Sequence, residues 1–185
     1  MEILFLDTET GGLDPQKHAL LQIGGVLWED GRIMREFEFN IPNIQDREWT
    51  EEALEVNGID LANFKTSDAG FAIDTLIDIA EHCYEPKQKC VVAGHNVGFD
   101  IGFLKVFFDD MGYKWDDHFS HRVLDTAGIL NFLMVAGRYQ AKSASLDAAL
   151  EYYKIPLDQG ERHGALADAK YTAILFDRLL SEVSR

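Results

Sequence analysis

The sequence predicts an α/β fold in which helices flank a mixed central β-sheet, with three antiparallel strands first and parallel strands after them. Two observations support this prediction: strand-like segments come first along the chain, and amphipathic helical segments then alternate with short apolar strands. The 185 residues, of which 46% are hydrophobic, are enough for one folded domain with a single core. We therefore expect one domain over residues 1–185.

Antiparallel strands come first in the predicted order. The run at residues 3–7 is apolar up to its last position, residues 20–29 form a second strand-like run, and phenylalanines alternate with glutamates within residues 33–41. The sequence Glu-Asp-Gly-Arg at 29–32 predicts a hairpin turn between the second and third runs. We therefore expect these three strands to pair as one antiparallel unit.

Helices dominate the rest of the chain. Thr50 followed by glutamates predicts the N-cap of a short helix that ends at Gly58. Ser67 or Asp68 then predicts the cap of a longer amphipathic helix that runs to about residue 83. The remaining predicted elements are strands at 90–93 and 123–125, helices from 97 or 98 to about 111 and at 126–135, 145–152 and 165–180, and loops at 94–96, 137–143 and 156–164.

The acidic composition narrows the classes of function. A net charge of −15 argues against a broad basic groove that coats long nucleic acid, but it allows a short substrate held by bound metal ions. Cys83 and Cys90 are too few for a disulfide framework, so we expect buried or half-buried thiols and a reducing compartment. Met1 leads directly into the first strand and no apolar run is long enough to cross a membrane, so we expect a cytoplasmic protein with no membrane partner.

Two acids stand at the end of the first predicted strand, in the stretch Leu-Asp-Thr-Glu-Thr-Gly-Gly-Leu-Asp-Pro at 6–15. Asp7 and Glu9 are separated by one residue, so in a strand both side chains point to the same face. Two half-buried carboxylates repel each other unless a cation lies between them. The pair is compatible with a Mg²⁺ or Mn²⁺ site and also with an ordinary strand end in water.

Two further acids lie near predicted helix starts. Asp100 falls in the first turns of a helix whose other face carries phenylalanines, where it could serve a site or only complement the helix dipole. Asp168 lies near the start of the last helix, after the permissive Gly164, with His163 on the loop just before it. Histidine is the side chain best suited to proton transfer near neutral pH, although a lone loop histidine is more often structural or solvated.

Together these positions give four carboxylates from three distant segments and one candidate base. Four acids at adjoining ends of a sheet lower the stability of the fold unless cations offset their repulsion. Such a set can hold two divalent ions. Two ions a few ångströms apart clamp the attacking and leaving oxygens of an in-line displacement at phosphorus, and one of them lowers the pKa of the attacking water. His163 would take the proton from that water.

Three motifs occur in a fixed order along the chain: Asp-Thr-Glu-Thr-Gly-Gly-Leu-Asp at 7–14, His-Asn-Val-Gly-Phe-Asp at 95–100 and His-Gly-Ala-Leu-Ala-Asp-Ala at 163–169. This ordered set resembles the DEDDh branch of the DEDD exonucleases, which includes the proofreading subunit of the bacterial replicative polymerase, RNase T and oligoribonuclease. Segments at 52–59, 124–126 and 145–150 also look familial. The resemblance therefore covers nearly the whole chain.

The resemblance implies an RNase H-like fold and a 3′-5′ exonuclease that removes nucleotides from single-stranded DNA or RNA with two Mg²⁺ or Mn²⁺ ions. It implies that Asp7, Glu9 and Asp168 hold the ion that activates water. Asp7 would bridge to the second ion, and Asp100 would support that second ion directly or through water. His163 would be the general base.

Four other positions match those near the terminal nucleotide in this family, where an apolar side chain can wedge or stack against the last bases. Leu13 and Phe99 could instead be plain core residues. Gly11 stands where a second threonine is common in the family, and this departure weakens the assignment of its neighbour Thr10. The matching positions are Thr10, Leu13, Asn96 and Phe99.

Two other classes of function compete with the enzyme. A catalytically idle exonuclease-like module of a replication or repair assembly would be expected to have lost at least one of the acids or His163, all of which are present. A non-enzymatic cation-binding protein would need a Ca²⁺-loop spacing that the sequence lacks. The sequence leaves open whether the substrate is DNA or RNA, how long it is, and whether the chain proofreads, trims RNA or degrades oligonucleotides. It also leaves open whether the chain forms a homodimer or associates with a polymerase or a DNA repair partner.

Overall fold

The computed structural model describes residues 1–83, 89–157 and 164–183. A five-stranded sheet lies between helices. In chain order, the elements of these ranges are β1 (Glu2–Thr10), β2 (Leu20–Glu29), β3 (Arg32–Asn40), α1 (Glu51–Asn57), α2 (Ala69–His82), β4 (Cys90–Gly94), α3 (Gly98–Asp110), α4 (Trp115–His118), β5 (Phe119–Asp125), α5 (Thr126–Val135), α6 (Leu146–Tyr152) and α7 (Ala165–Val183).

The sheet is mixed and has the strand order β3-β2-β1-β4-β5. β1, β2 and β3 pair antiparallel, whereas β4 pairs parallel with both β1 and β5. The hairpin between β2 and β3 turns at Asp30 and Gly31, whose φ angles of 46° and 83° suit a two-residue hairpin turn. The predicted arrangement, three antiparallel strands followed by parallel ones, is confirmed.

Alternation along β1 divides the core into layers. Leu6 points to one face, where it clusters with residues of α2 and with Phe103 of α3. Phe5 points to the other face and packs on Phe176 of α7, with ring centroids 5.4 Å apart. A further cluster joins α5, α6 and α7. Helices therefore cover both faces of the first half of β1, and its last residues lead into the candidate site.

β5 is longer than predicted. It begins at Phe119 instead of residue 123, and the short helix α4, which was not predicted, precedes it. Phe119 stacks on Trp115 in the core with ring centroids 3.9 Å apart. Residues 121–123 are exposed at the edge of the sheet. The strand therefore lacks the apolar alternation that would have marked it in the sequence.

The predicted helix caps and thiols are confirmed. The side chains of Thr50 and Asp68 accept backbone N–H groups in the first turns of α1 and α2 at 3.1 Å and 2.8 Å. Cys83 and Cys90 are buried free thiols. No helix in the described ranges has the length and apolar character needed to span a membrane.

Candidate active site

The carboxyl end of β1 carries the first two predicted acids. Asp7 and Glu9 are half-buried and share one face of the strand, while Thr8 and Thr10 are buried on the other face. The predicted strand ended at Asp7, but β1 continues to Thr10. Both carboxylates therefore have fixed positions on a strand and do not lie on a loop.

The first turn of α7 lies directly against this face of the sheet. In β2, Gly24 is opposite Asp7. A Cβ atom at Gly24 would lie 2.0 Å from Leu166 N, so only glycine lets the helix backbone approach this closely. The start of α7 is thereby held beside Asp7.

Gln22 fixes the same helix start and brings in the third acid. Gln22 is opposite Glu9, and its Oε1 accepts the N–H of Ala165, the first residue of α7, at 2.9 Å. Asp168 lies one turn further along and therefore projects from the same side of the helix as Ala165. The half-buried Asp168 is thus brought to the sheet face that carries Asp7 and Glu9.

Asp100 reaches the end of β1 from α3. The parallel ladder between β1 and β4 ends with Phe5 opposite Ala93, so Thr8 lies beyond the last pair. The N–H and the Oγ1–H of Thr8 both donate to Asp100 Oδ1, at 2.9 Å and 2.7 Å. Since Thr8 stands between the two acids of β1, the fourth acid is tied to the same strand end as the other three.

Burial raises the pKa of Asp100 to about 7. The residue is only 4% exposed, and desolvation penalises its charged form. The hydrogen bonds from Thr8 lower this pKa, and the negative charge of Asp125 raises it. A bound divalent cation would act against the burial, because a nearby positive charge favours the carboxylate.

An open cleft of about 370 Å³ lies beside Glu9. Thr10, Leu13 and Phe99 line it, so three of the predicted substrate positions share one surface. Leu13 is 84% exposed, and the alternative that it is a core residue is therefore wrong. Phe99 is half-buried and packs on Phe103 with ring centroids 5.1 Å apart, so it belongs to both the core and the cleft.

Asn96, the fourth predicted substrate position, is placed differently. It is exposed in the turn between β4 and α3, with a φ of 62°, and it is not among the described residues that line the cleft. The preceding His95 is held from α5, since its Nδ1 lies 2.9 Å from Thr126 Oγ1. This turn directly precedes the helix that carries Asp100.

The close approach of a neighbouring segment explains the glycine at position 11. The N–H of Gly11 donates to Ala19 O at 2.8 Å, and its carbonyl accepts the N–H of Thr50 at 2.8 Å. A Cβ atom here would lie 2.8 Å from Trp49 Cβ and 2.9 Å from Glu48 O. A threonine at this position would require the chain that leads into α1 to move.

The acidic set suits a hard divalent cation by donor type, since three segments that carry carboxylates converge at one strand end. In residues 1–83, 89–157 and 164–183, no three His, Cys, Asp or Glu side chains already form a group that could hold an ion. The residues therefore suit such ions by their carboxylate oxygens and by their place at one strand end, although their side chains do not already surround an ion site. His163, the predicted base, lies outside the described residues.

Comparison with known proteins decides the family. The model of a family described as Exonuclease matches residues 4–176. The chain belongs to this exonuclease family. The resemblance predicted from the three motifs is thereby confirmed, and the family's description is the class of enzyme that the sequence predicts.

Curated relatives of this exonuclease-family chain differ greatly in length. Ribonuclease T of Actinobacillus pleuropneumoniae is 25% identical over 189 residues, which cover 97% of this chain and 84% of that relative. The PolC-type DNA polymerase III of Thermotoga petrophila is 28% identical over 181 residues, which cover 97% of this chain and 12% of the polymerase. The chain therefore spans most of one relative and a small part of the other.

Solved structures share the fold. E. coli exonuclease I in complex with a dT13 oligonucleotide matches with a TM-score of 0.76 at 19% identity, covering 98% of this chain and 43% of that chain. The zinc-ion-bound form of the same enzyme with single-stranded DNA matches with a TM-score of 0.74 at 19% identity, covering 97% of this chain and 43% of that chain. This likeness confirms the predicted RNase H-like fold.

Three residues that organise the site were not identified from the sequence. Gly24 had a usable signal, because a glycine within an apolar strand often marks a close backbone approach. Thr8 and Gln22 had none. Gln22 bonds to a residue 143 positions away, and Thr8 bonds to one 92 positions away, so their roles depend on how the chain folds.

Proposed function

We propose that this chain is a metal-dependent 3′-5′ exonuclease that hydrolyses phosphodiester bonds at the 3′ end of single-stranded DNA or RNA, and that residues 1–185 act as one such domain. The observation that carries the proposal is that the elements that carry four acids converge at the end of β1, beside an open cleft. Without cations these carboxylates would repel one another. The acids are Asp7, Glu9, Asp100 and Asp168.

The acidic set would hold two Mg²⁺ or Mn²⁺ ions. Asp7, Glu9 and Asp168 would ligate one ion, with Asp7 bridging to the second. Asp100, held by Thr8, would support the second ion directly or through water. Bound ions would lower the pKa of the attacking water and neutralise charge on the phosphate. The zinc-bound form of E. coli exonuclease I supports a divalent-metal site in this fold.

His163 would act as the general base that takes a proton from the attacking water. The support is chemical and positional: imidazole titrates near neutral pH, and His163 immediately precedes Gly164 and the first turn of α7 in the sequence. Asp168 lies in that first turn. The base would thus be close in sequence to one of the metal ligands.

The cleft beside Glu9 would receive the terminal nucleotide. Leu13 and Val56, which are 84% and 73% exposed, line it together with Phe99 and give an apolar surface on which a base can stack. Thr10 would contact the same nucleotide from the cleft wall, and Asn96 from the turn before α3.

The relatives support a short single strand as substrate. One is a ribonuclease T, and exonuclease I was solved with a dT13 oligonucleotide. The PolC-type relative is a DNA polymerase far longer than this chain. The same exonuclease activity could therefore also act in association with a polymerase.

Labelled oligonucleotides test this function. Purified protein is incubated with oligonucleotides labelled at the 3′ or the 5′ end, in Mg²⁺ or in EDTA. We expect mononucleotides to leave the 3′ end in Mg²⁺ and none to be released in EDTA. Asp7→Asn should be slower by about 100-fold or more. Asp30→Asn, in the exposed β2–β3 turn, is the control and should match the wild type. Equal rates for Asp7→Asn and the wild type would overturn the proposal.

The proposed base is tested by a separate variant. His163→Ala should lower kcat by about 10² to 10⁴-fold at neutral pH and remove the acidic limb of the pH profile. Full activity of His163→Ala at neutral pH would contradict the base assignment while leaving the metal ligands in place. Matched DNA and RNA oligomers of several lengths in the same assay distinguish the two kinds of substrate.

A further inference from the structure

Asp125 ends β5 and caps α5 beside the turn that connects β4 to α3. It is opposite Gly94, the last residue of β4, in the parallel ladder. Its Oδ1 accepts the N–H groups of Ala127 and Gly128 at 2.9 Å and 3.4 Å, as an N-cap side chain usually does. The same oxygen also accepts the N–H of Asn96 at 2.9 Å. This additional hydrogen bond ties α5 to the turn.

Thr126 adds a second tie to the turn. The residue is completely buried, and its Oγ1–H donates to Gly94 O at 3.1 Å. The same Oγ1 lies 2.9 Å from His95 Nδ1. Asp125 and Thr126 together therefore contact three consecutive residues of the turn, from Gly94 to Asn96.

The turn needs such support because of its backbone conformation. Asn96 has a φ of 62°, in the left-handed region, which asparagine adopts more readily than most non-glycine residues but still at some cost. The first turn of α3 is built on it, since Asn96 O accepts the N–H of Phe99 at 3.0 Å. Val97, at the N-cap position of α3, supplies no side-chain cap. The start of α3 thus depends on the turn, and the turn depends on Asp125.

Asp100 is the proposed functional residue whose position depends on this turn and on the start of α3. It lies in the first turn of α3, and its hydrogen bonds from Thr8, at 2.7 Å and 2.9 Å, leave little room for displacement. We propose that Asp125 is a positioning residue for the reaction, which fixes the turn at residues 94–97 and thereby the place of the Asp100 carboxylate. The inference rests on the proposed function, in which Asp100 supports the second ion.

Two substitutions of Asp125 and one matched control test the inference. Asp125→Ala removes the acceptor, whereas Asp125→Asn keeps an oxygen that can accept the N–H of Asn96. Asp68→Ala is the control, because Asp68 caps α2 through a single bond to Phe71 N at 2.8 Å and lies outside the candidate site. Each variant is measured for thermal unfolding, for Mn²⁺ binding by calorimetry without substrate, and for kcat and KM on a short 3′-labelled oligonucleotide.

We expect both alanine variants to lose thermal stability, because each loses a helix cap, and Asp125→Ala to lose more because it also loses the hydrogen bond to Asn96. Only Asp125→Ala should bind Mn²⁺ more weakly and show a lower kcat, each by about 10 to 100-fold, with a smaller change in KM. Asp125→Asn should recover most of the loss. A merely structural cap would change unfolding alone.

Two results would overturn the inference: Mn²⁺ affinity and kcat of Asp125→Ala equal to those of Asp68→Ala, or no recovery in Asp125→Asn. Should Asp125→Ala fail to fold, Thr126→Val tests the same turn without altering the Asp125 cap, and wild-type Mn²⁺ affinity and kcat in that variant would overturn the inference. Failure of the proposed function is distinguishable, since Asp7→Asn would then keep the wild-type rate.

Discussion

Asp100 is the only acidic or basic residue among the buried polar positions of the described chain. Burial raises its pKa to about 7, so a large fraction of the ion-free protein carries a proton on this carboxyl at neutral pH. Metal binding to a carboxylate requires that the proton leave. At the scale of single residues, the charge of Asp100 and the occupancy of the proposed second ion are therefore coupled.

This coupling predicts a pH-dependent stability. Between pH 3.8 and about pH 7, the folded protein keeps a proton on Asp100 that the unfolded chain has already released. The free energy of unfolding should therefore fall as pH rises through this window. The loss in EDTA should be about 4 kcal/mol at most. Asp100→Asn does not titrate but can still accept the hydrogen bonds of Thr8, so its stability should fall less over this pH window.

Denaturant unfolding in EDTA at pH 5 and pH 8 measures this difference. Mg²⁺ at pH 8 should restore stability to the wild type and have less effect on Asp100→Asn, because ions that bind the folded state stabilise it. The same loss of stability with pH in both proteins would contradict the assignment of the raised pKa to Asp100.

At the scale of elements, one ion pair holds the chain before α1 against α3. The guanidinium of Arg47 makes two hydrogen bonds to Asp110, one of them Nη2 to Oδ1 at 3.0 Å, and both side chains are largely buried, at 18% and 16% exposed. The segment at 48–50 then packs on Gly11 and leads into the helix that lines the cleft. The pair therefore connects the wall of the cleft to the helix that carries Asp100.

A double-mutant cycle measures this connection. Arg47→Ala, Asp110→Ala and the double variant should give a coupling energy of about 1.5–3 kcal/mol, as expected for paired charges that are partly desolvated. The exposed pair of Arg35 with Asp78, joined by one bond of 2.9 Å, is the matched control and should give less than about 1 kcal/mol. Similar coupling energies in both cycles would contradict a special role for the pair at Arg47.

The elements that could be predicted from the sequence are those whose signal is local. The hairpin, the caps at Thr50 and Asp68 and the antiparallel order follow from neighbouring residues, and the structure confirms them. The start of β5 was missed because an exposed edge strand carries no apolar pattern. The four acids could be predicted as a set, but the contacts that position them, such as those of Gln22 and Asp125, join distant segments and have no local pattern.

At the scale of the whole molecule, the net charge of −15 limits how nucleic acid can bind. A nucleic-acid strand that lay along an acidic surface would gain little binding free energy from counterion release, because that gain needs clustered lysines and arginines. Recognition should therefore be concentrated at the 3′-terminal nucleotides, through bound ions and stacking in the cleft.

Salt dependence tests this view of the whole surface. For a short single strand, the logarithm of KM against the logarithm of salt concentration should have a slope below about 2, equivalent to two or three neutralised phosphates. Lengthening the oligonucleotide beyond a few nucleotides should change KM little. A steep slope that grows with substrate length would indicate an extended binding track and contradict the prediction.

Anomalous diffraction from crystals grown with Mn²⁺ and a mononucleotide product tests directly whether the four acids bind two metal ions. We expect two Mn²⁺ peaks at the carboxyl end of β1, one ligated by Asp7, Glu9 and Asp168, and the other shared by Asp7 and supported by Asp100. Protein that degrades oligonucleotides from the 3′ end in Mn²⁺, but shows no Mn²⁺ peak at these four acids, would contradict it.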